Sequence, residues 1–156
     1  THGLSVSTIM GVTTPAIRTL LRRSIRALWS LAAEPAGAAD AYRSKEGGVL
    51  VGHPPGGPST IADGLRTTLG TNTFPIVRDL VDEIFLVEEE EIVAAMRLVW
   101  ERMKLCIEPS AAVGVAVALS AAFKALPLDG PDGCGARVGV ILCGGNTNLD
   151  ALPWQS

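Results

Sequence analysis

Residues 138–146 read Val138-Gly139-Val140-Ile141-Leu142-Cys143-Gly144-Gly145-Asn146, an apolar run that ends in a thiol, two glycines and an amide. An apolar stretch without polar alternation fits a strand covered on both faces, as strands of parallel sheets are. In an open parallel sheet, ligands collect outside the carboxyl ends of the strands. Cys143-Gly144-Gly145-Asn146 occupies such an end, and glycines there permit positive φ and close backbone approach. Two readings fit these residues alone: a ligand site, or a strand-end turn beside a buried cysteine.

Working outward, the same architecture recurs. Leu28 to Ala33 (LWSLAA) reads as a strand stopped at Glu34-Pro35, and Glu83 to Val87 (EIFLV) as another. Between the strands lie helical patterns at 36–45, 74–81, 88–105 and 110–125, with a basic amphipathic helix at 15–27 before them. The run Glu88-Glu89-Glu90-Glu91 suits the positive end of a helix and reads as a solvated helix start. Residues 47–59, rich in Gly and Pro, read as a surface loop that carries a lone loop histidine, His53; residues 127–136 read as a second loop. Strands at 28–33, 83–87 and 137–142 separated by helices imply right-handed crossovers and an α/β fold with a mainly parallel sheet and flanking helices.

Composition bounds the function. The chain has 156 residues, 47% apolar and 19% charged, with a net charge of −3, which describes one ordinary globular domain and offers nucleic acid no basic footprint. Its most apolar segment, residues 111–123, is shorter than the roughly 18–20 residues that span a bilayer. Cys106, Cys134 and Cys143 match neither a disulfide framework nor a zinc set, so a reducing, cytoplasmic setting is expected. Residues 1–28 differ in kind. They carry Arg18, Arg22, Arg23 and Arg26 and no acid, a bias that fits a surface helix opened by Thr14-Pro15 or a transit peptide.

Two further constellations carry possible chemistry. Glu34 and Asp40 are six residues apart across a bend, a spacing that supplies part of the oxygen shell of Mg²⁺ or Ca²⁺; the alternative is a strand-ending Glu and a helix-capping Asp. Thr60 to Thr68 (TIADGLRTT) is a hydroxyl-rich Asp-Gly turn, either a ligand loop or a connection.

Taken in order, the strings AAEP at 32–35, YRSK at 42–45, TIADGLRTTLGTNTFPIVRDLVDEIFLV at 60–87, LVWERMKLCIEPSAAVGVAVALS at 98–120 and VGVILCGGN at 138–146 closely resemble the C-terminal portion of the serine racemase and serine/threonine dehydratase family. These are pyridoxal-phosphate enzymes of the tryptophan-synthase β-like fold, fold type II. The resemblance covers roughly residues 29–149, leaving 1–28 as a divergent segment and 150–156 as a tail. It implies that Cys143 meets the pyridine nitrogen of the cofactor, where a weak partner leaves the ring a gentle electron sink suited to β-elimination and racemisation. It implies that Gly64, Glu108 and Asn146 line the cofactor and substrate pocket. It also implies a Mg²⁺ or Ca²⁺ site at Glu34, the Ala38 carbonyl and Asp40, and an activating nucleotide, ATP, near Lys104 and Asn146. Serine or threonine would be the substrate and a homodimer the complete enzyme. The family's Schiff-base lysine motif and glycine-rich phosphate loop are not found here: the lysines are Lys45, Lys104 and Lys124, none in that context. The chain therefore reads as part of a larger enzyme, without a catalytic residue of its own, or as an inactive form that serves as a structural partner.

Overall fold

The computed structural model describes residues 5–9, 29–126 and 137–155. A four-stranded, wholly parallel sheet has the order β3-β2-β1-β4, with β1 Ser5–Ile9, β2 Ser30–Pro35, β3 Glu83–Val87 and β4 Arg137–Val140. Leu31 pairs with Glu83 and Pro35 with Val87 across β2 and β3; Ser7 pairs with Ser30 on one side of β1 and with Gly139 on the other. The expected parallel α/β class is therefore observed. Sequence reading placed no strand before residue 28, yet β1 is central; the signal was the β-branched Val6, Thr8 and Ile9. The basic helix at 15–27 and the loop at 127–136 lie outside the described residues.

Alternation along β2 sorts the helices onto two faces. Leu31 and Ala33 enter the larger core, while Ala32 packs with Ala41, Val77 and Ile84 in the smaller one. The smaller face is covered by α1 Asp40–Gly47 and α2 Phe74–Leu80, which connect β2 to β3. The larger is covered by α3 Glu89–Leu98 and α4 Pro109–Leu119, the latter running across β2, β3 and β4. Leu31, Ile92, Met96, Val99 and Val113 are fully buried there, each stabilising the fold by about 1.5–3 kcal/mol relative to exposure.

Element boundaries depart from expectation where side chains intervene. β2 runs through Glu34 and Pro35, because a proline at the last strand residue forfeits little of the ladder. β4 ends at Val140, and Ile141 and Leu142 leave the ladder before Cys143. The helix expected at 88–105 is α3 continued as a π-helical turn, Val99–Met103, closed by Lys104 at φ 59°. Glu88 caps α3 in a reciprocal box with Glu91. The helix expected at 110–125 is broken at Ser120, whose extended backbone and side-chain acceptance from the Phe123 N–H start a separate turn, α5 Ala121–Lys124.

Candidate functional site

Three segments meet beyond the end of β4. The Glu108 N–H donates to the Gly144 carbonyl (3.2 Å), and the Asn146 N–H donates to Glu108 Oε2 (3.0 Å). The Gly64 N–H donates to Ser110 Oγ (3.1 Å), in the first turn of α4. Gly144 has φ +96°, and a Cβ built on it would collide with the Glu108 carboxyl group. Only glycine combines that backbone with that proximity. Cys143, half-buried, packs against the larger core immediately before this junction. The fold thus gathers Gly64, Glu108, Cys143 and Asn146 from segments far apart in sequence. Glycine backbone and one carboxylate at a strand end leave room for a planar ring to approach the main chain, so these residues fit the ring end of a pyridoxal cofactor.

The second cluster lies at the end of β2 on the opposite face. Glu34 Oε2 accepts the Tyr42 N–H (2.8 Å) and Oε1 the Ala41 N–H (3.2 Å), so it caps α1 from the preceding strand. Asp40, 2% exposed, accepts the Leu69 N–H at Oδ2 (2.8 Å). Both acids line a cavity of about 320 Å³ walled by Thr67, Thr68, Thr71 and Thr73. Burial pushes the Glu34 carboxyl up to about 7; the Tyr42 N–H opposes the rise, the Asp40 charge adds to it, and the Ala41 N–H and Arg43 oppose it. Ala38, whose carbonyl is the third expected donor, is buried in the turn between them. Among the described residues no group of three or more His, Cys, Asp or Glu forms a metal cluster. Two buried carboxylates that repel each other, in a cavity roomy enough for water, nevertheless fit a hard divalent cation that keeps water ligands.

Lys104 and Asn146 do not share a partner: Lys104 Nζ donates to the Glu101 carbonyl (2.7 Å), while Asn146 bonds to Glu108. Lys45 Nζ donates to the Arg78 carbonyl (3.0 Å), and Lys124 ends α5. Sequence reasoning missed three participants. Ser110 fastens Gly64; Glu89, expected in a solvated helix start, instead accepts the Ile61 N–H (2.8 Å) and anchors the 60–66 loop. His53, expected as a surface loop residue, has a side chain only 9% exposed and lies 3.8 Å from Asp40. Neither loop showed periodicity that would have placed these contacts.

Residues 5–144 match the family of pyridoxal-phosphate dependent enzymes. The chain is 51% identical over 123 residues to a serine racemase of Bos taurus, covering 79% of this chain and 35% of that protein. The chain thus spans about a third of the length of the curated relatives it matches. Among solved structures, maize serine racemase superposes with a TM-score of 0.84 at 37% identity, over 96% of this chain and 44% of that one. A serine racemase from Dictyostelium discoideum gives 0.78 at 37% identity, over 96% and 45%, and a bacterial-type threonine deaminase fold is shared as well, with a TM-score of 0.81 at 32% identity, over 97% and 52%. With its parallel sheet, its glycine-lined strand end and a match running from β1 to Gly144, the chain belongs to the family of pyridoxal-phosphate dependent enzymes.

Proposed function

We propose that this chain supplies the pyridine-nitrogen end of the pocket and a divalent-cation site to a serine racemase or L-serine/L-threonine ammonia-lyase. The observation that carries the reading is the Gly64, Glu108 and Gly144 junction next to Cys143 at the carboxyl end of β4. Pyridoxal phosphate, when bound, supplies an electron sink for charge developing at the substrate Cα. Cys143 would hold the ring nitrogen as a weak partner, Gly64 and Asn146 would bound the pocket, and Glu108 would fix the glycine turn by accepting the Asn146 N–H. Glu34, Asp40 and the Ala38 carbonyl would hold Mg²⁺ or Ca²⁺, and Lys104 with Asn146 would contribute to binding ATP as an activator. Serine and threonine are the proposed substrates, a homodimer the assembly and the cytoplasm the location. Among the described residues no helix is long and apolar enough to cross a membrane.

None of the three lysines is placed at the Cys143 junction by its hydrogen bonds or its element. Pyridoxal phosphate added to the chain, followed by borohydride reduction and peptide mapping, is expected to leave no single lysine stoichiometrically modified. L-serine is expected to give neither D-serine nor pyruvate. Noncovalent cofactor binding, measured by equilibrium dialysis, is expected to weaken in Gly64→Val. Binding indifferent to that change would refute the pocket, and a stoichiometric adduct with turnover would show a self-sufficient enzyme. A second reading, an inactive interaction partner, draws on the exposed Leu98, Met103, Leu105 and Leu119. Stable co-purification with a full-length relative would favour it.

A further inference from the structure

We propose that His53 is a positioning residue that orients the Asp40 carboxylate for cation binding. The inference rests on the cation reading of Glu34 and Asp40. Its starting point is a histidine that a Gly- and Pro-rich loop carries inward, leaving its side chain 9% exposed. Nε2 lies 2.9 Å from the Arg66 carbonyl, which can only accept, so Nε2 carries the hydrogen. The same nitrogen stands 3.8 Å from Asp40 Oδ1. The opposite ring nitrogen, Nδ1, is buried with no hydrogen-bond partner among the described residues. A loop histidine free to turn outward would hydrate that nitrogen, so the contacts of Nε2 are what hold the ring in.

Those contacts bracket Asp40. Arg66 begins the stretch that ends at Leu69, and the Leu69 N–H donates to Asp40 Oδ2 (2.8 Å). By pinning the Arg66 carbonyl, His53 steadies the loop that supplies this bond, and its own ring edge faces Oδ1. The carboxylate is thereby held from both oxygens at the edge of the Glu34 cavity. A ligand oxygen fixed in orientation before the cation arrives spares the ordering cost on binding.

The test is a Mn²⁺ titration of the chain, followed by the electron paramagnetic resonance of free Mn²⁺ and by the shift in thermal unfolding midpoint. Wild type should bind one ion and Asp40→Asn should not. His53→Ala should weaken binding about tenfold at unchanged stoichiometry, the low end for loss of a group that orients a ligand. His53→Gln, whose amide N–H replaces Nε2–H, should recover most of that loss. Unchanged affinity in His53→Ala, or equal loss in both His53 variants, would overturn the proposal while leaving the cation site standing. No saturable binding by wild type, or binding untouched in Asp40→Asn, would overturn the cation reading itself. Should His53→Ala fail to fold, the ¹⁵N resonances of the wild-type ring decide: they should report the Nε2–H tautomer and move as Mg²⁺ is added, and a ring indifferent to Mg²⁺ refutes the role.

Discussion

Glu34 and Glu108 are carboxylates near the carboxyl ends of one parallel sheet, and they live in opposite circumstances. Glu34 sits on the α1 and α2 face, accepting the Tyr42 and Ala41 N–H groups, yet burial and the neighbouring Asp40 charge push its carboxyl up to about 7. Glu108 sits on the α4 face beside the exposed Gly144 to Asn146 turn, where it accepts the Asn146 N–H and fills the space a Gly144 side chain would take. One site has spare negative charge and room; the other has backbone geometry that fits a single residue type. The first is built to gain a cation, and the second to let a flat ligand approach main chain. Their tolerances to change should therefore differ in kind.

The largest expected effect breaks the comparison from the Glu34 side by pH alone. An ordinary value of 4.5 in the unfolded chain against about 7 in the fold means that the folded state keeps a proton that the unfolded chain has released. The stability this contributes is complete below pH 4.5 and is lost as pH rises through about 7, roughly 3 kcal/mol in all. Urea unfolding in chelator across pH 4.5 to about 8 should show the decline, and Glu34→Gln should flatten it. Saturating Mg²⁺ should offset the loss at the upper end, since a ligand that binds only the folded chain stabilises it. A profile that is the same in wild type and Glu34→Gln would remove the contrast.

The next effect probes Glu108 through its neighbour. Gly144→Ala combines a φ of +96° with a Cβ driven into the Glu108 carboxyl group, so a destabilisation of about 2 kcal/mol is expected in urea unfolding. Adding Glu108→Ala removes the clash and not the backbone strain. The double variant should therefore recover roughly half of the loss, a coupling that a double-mutant cycle reads directly. Additive effects would mean that Glu108 does not fill that space.

How much of this was legible beforehand follows the same division. The strand ending at Cys143, the helix over Phe74–Leu80 and the strand Glu83–Val87 were readable because burial on two faces and helical periodicity leave a pattern in residue type. The meeting of Gly64, Glu108 and Asn146 was expected only through resemblance, since nothing local in TIADG or CIEPS says which loop meets which. β1 was passed over because five residues of mixed Ser, Val and Thr carry little hydrophobic signal until β2 and β4 pair with both edges. His53 and Glu89 were misjudged for a related reason. Exposure of a polar residue is a tertiary property, and a Gly- and Pro-rich loop or a run of four glutamates looks solvated until a partner such as the Arg66 carbonyl or the Ile61 N–H is placed beside it.

The smallest expected effect separates the two loops that flank Glu108. Ser110 Oγ is the acceptor of the Gly64 N–H at 3.1 Å, and Ser110 is fully buried in the first turn of α4. Ser110→Ala deletes that acceptor, but the Gly64 N–H retains Asp63 Oδ1 at 2.9 Å, so the donor is not orphaned. The cost should therefore stay near about 1 kcal/mol, the net worth of one hydrogen bond, and below the penalty of a buried unsatisfied donor. Amide hydrogen exchange localises the change: protection at Gly64 should fall while protection at Asn146, held by Glu108, should not. If both fall together, the Gly64 and Gly144 loops open as one unit, and the glycine-lined junction is a single mobile flap instead of two independently fastened walls.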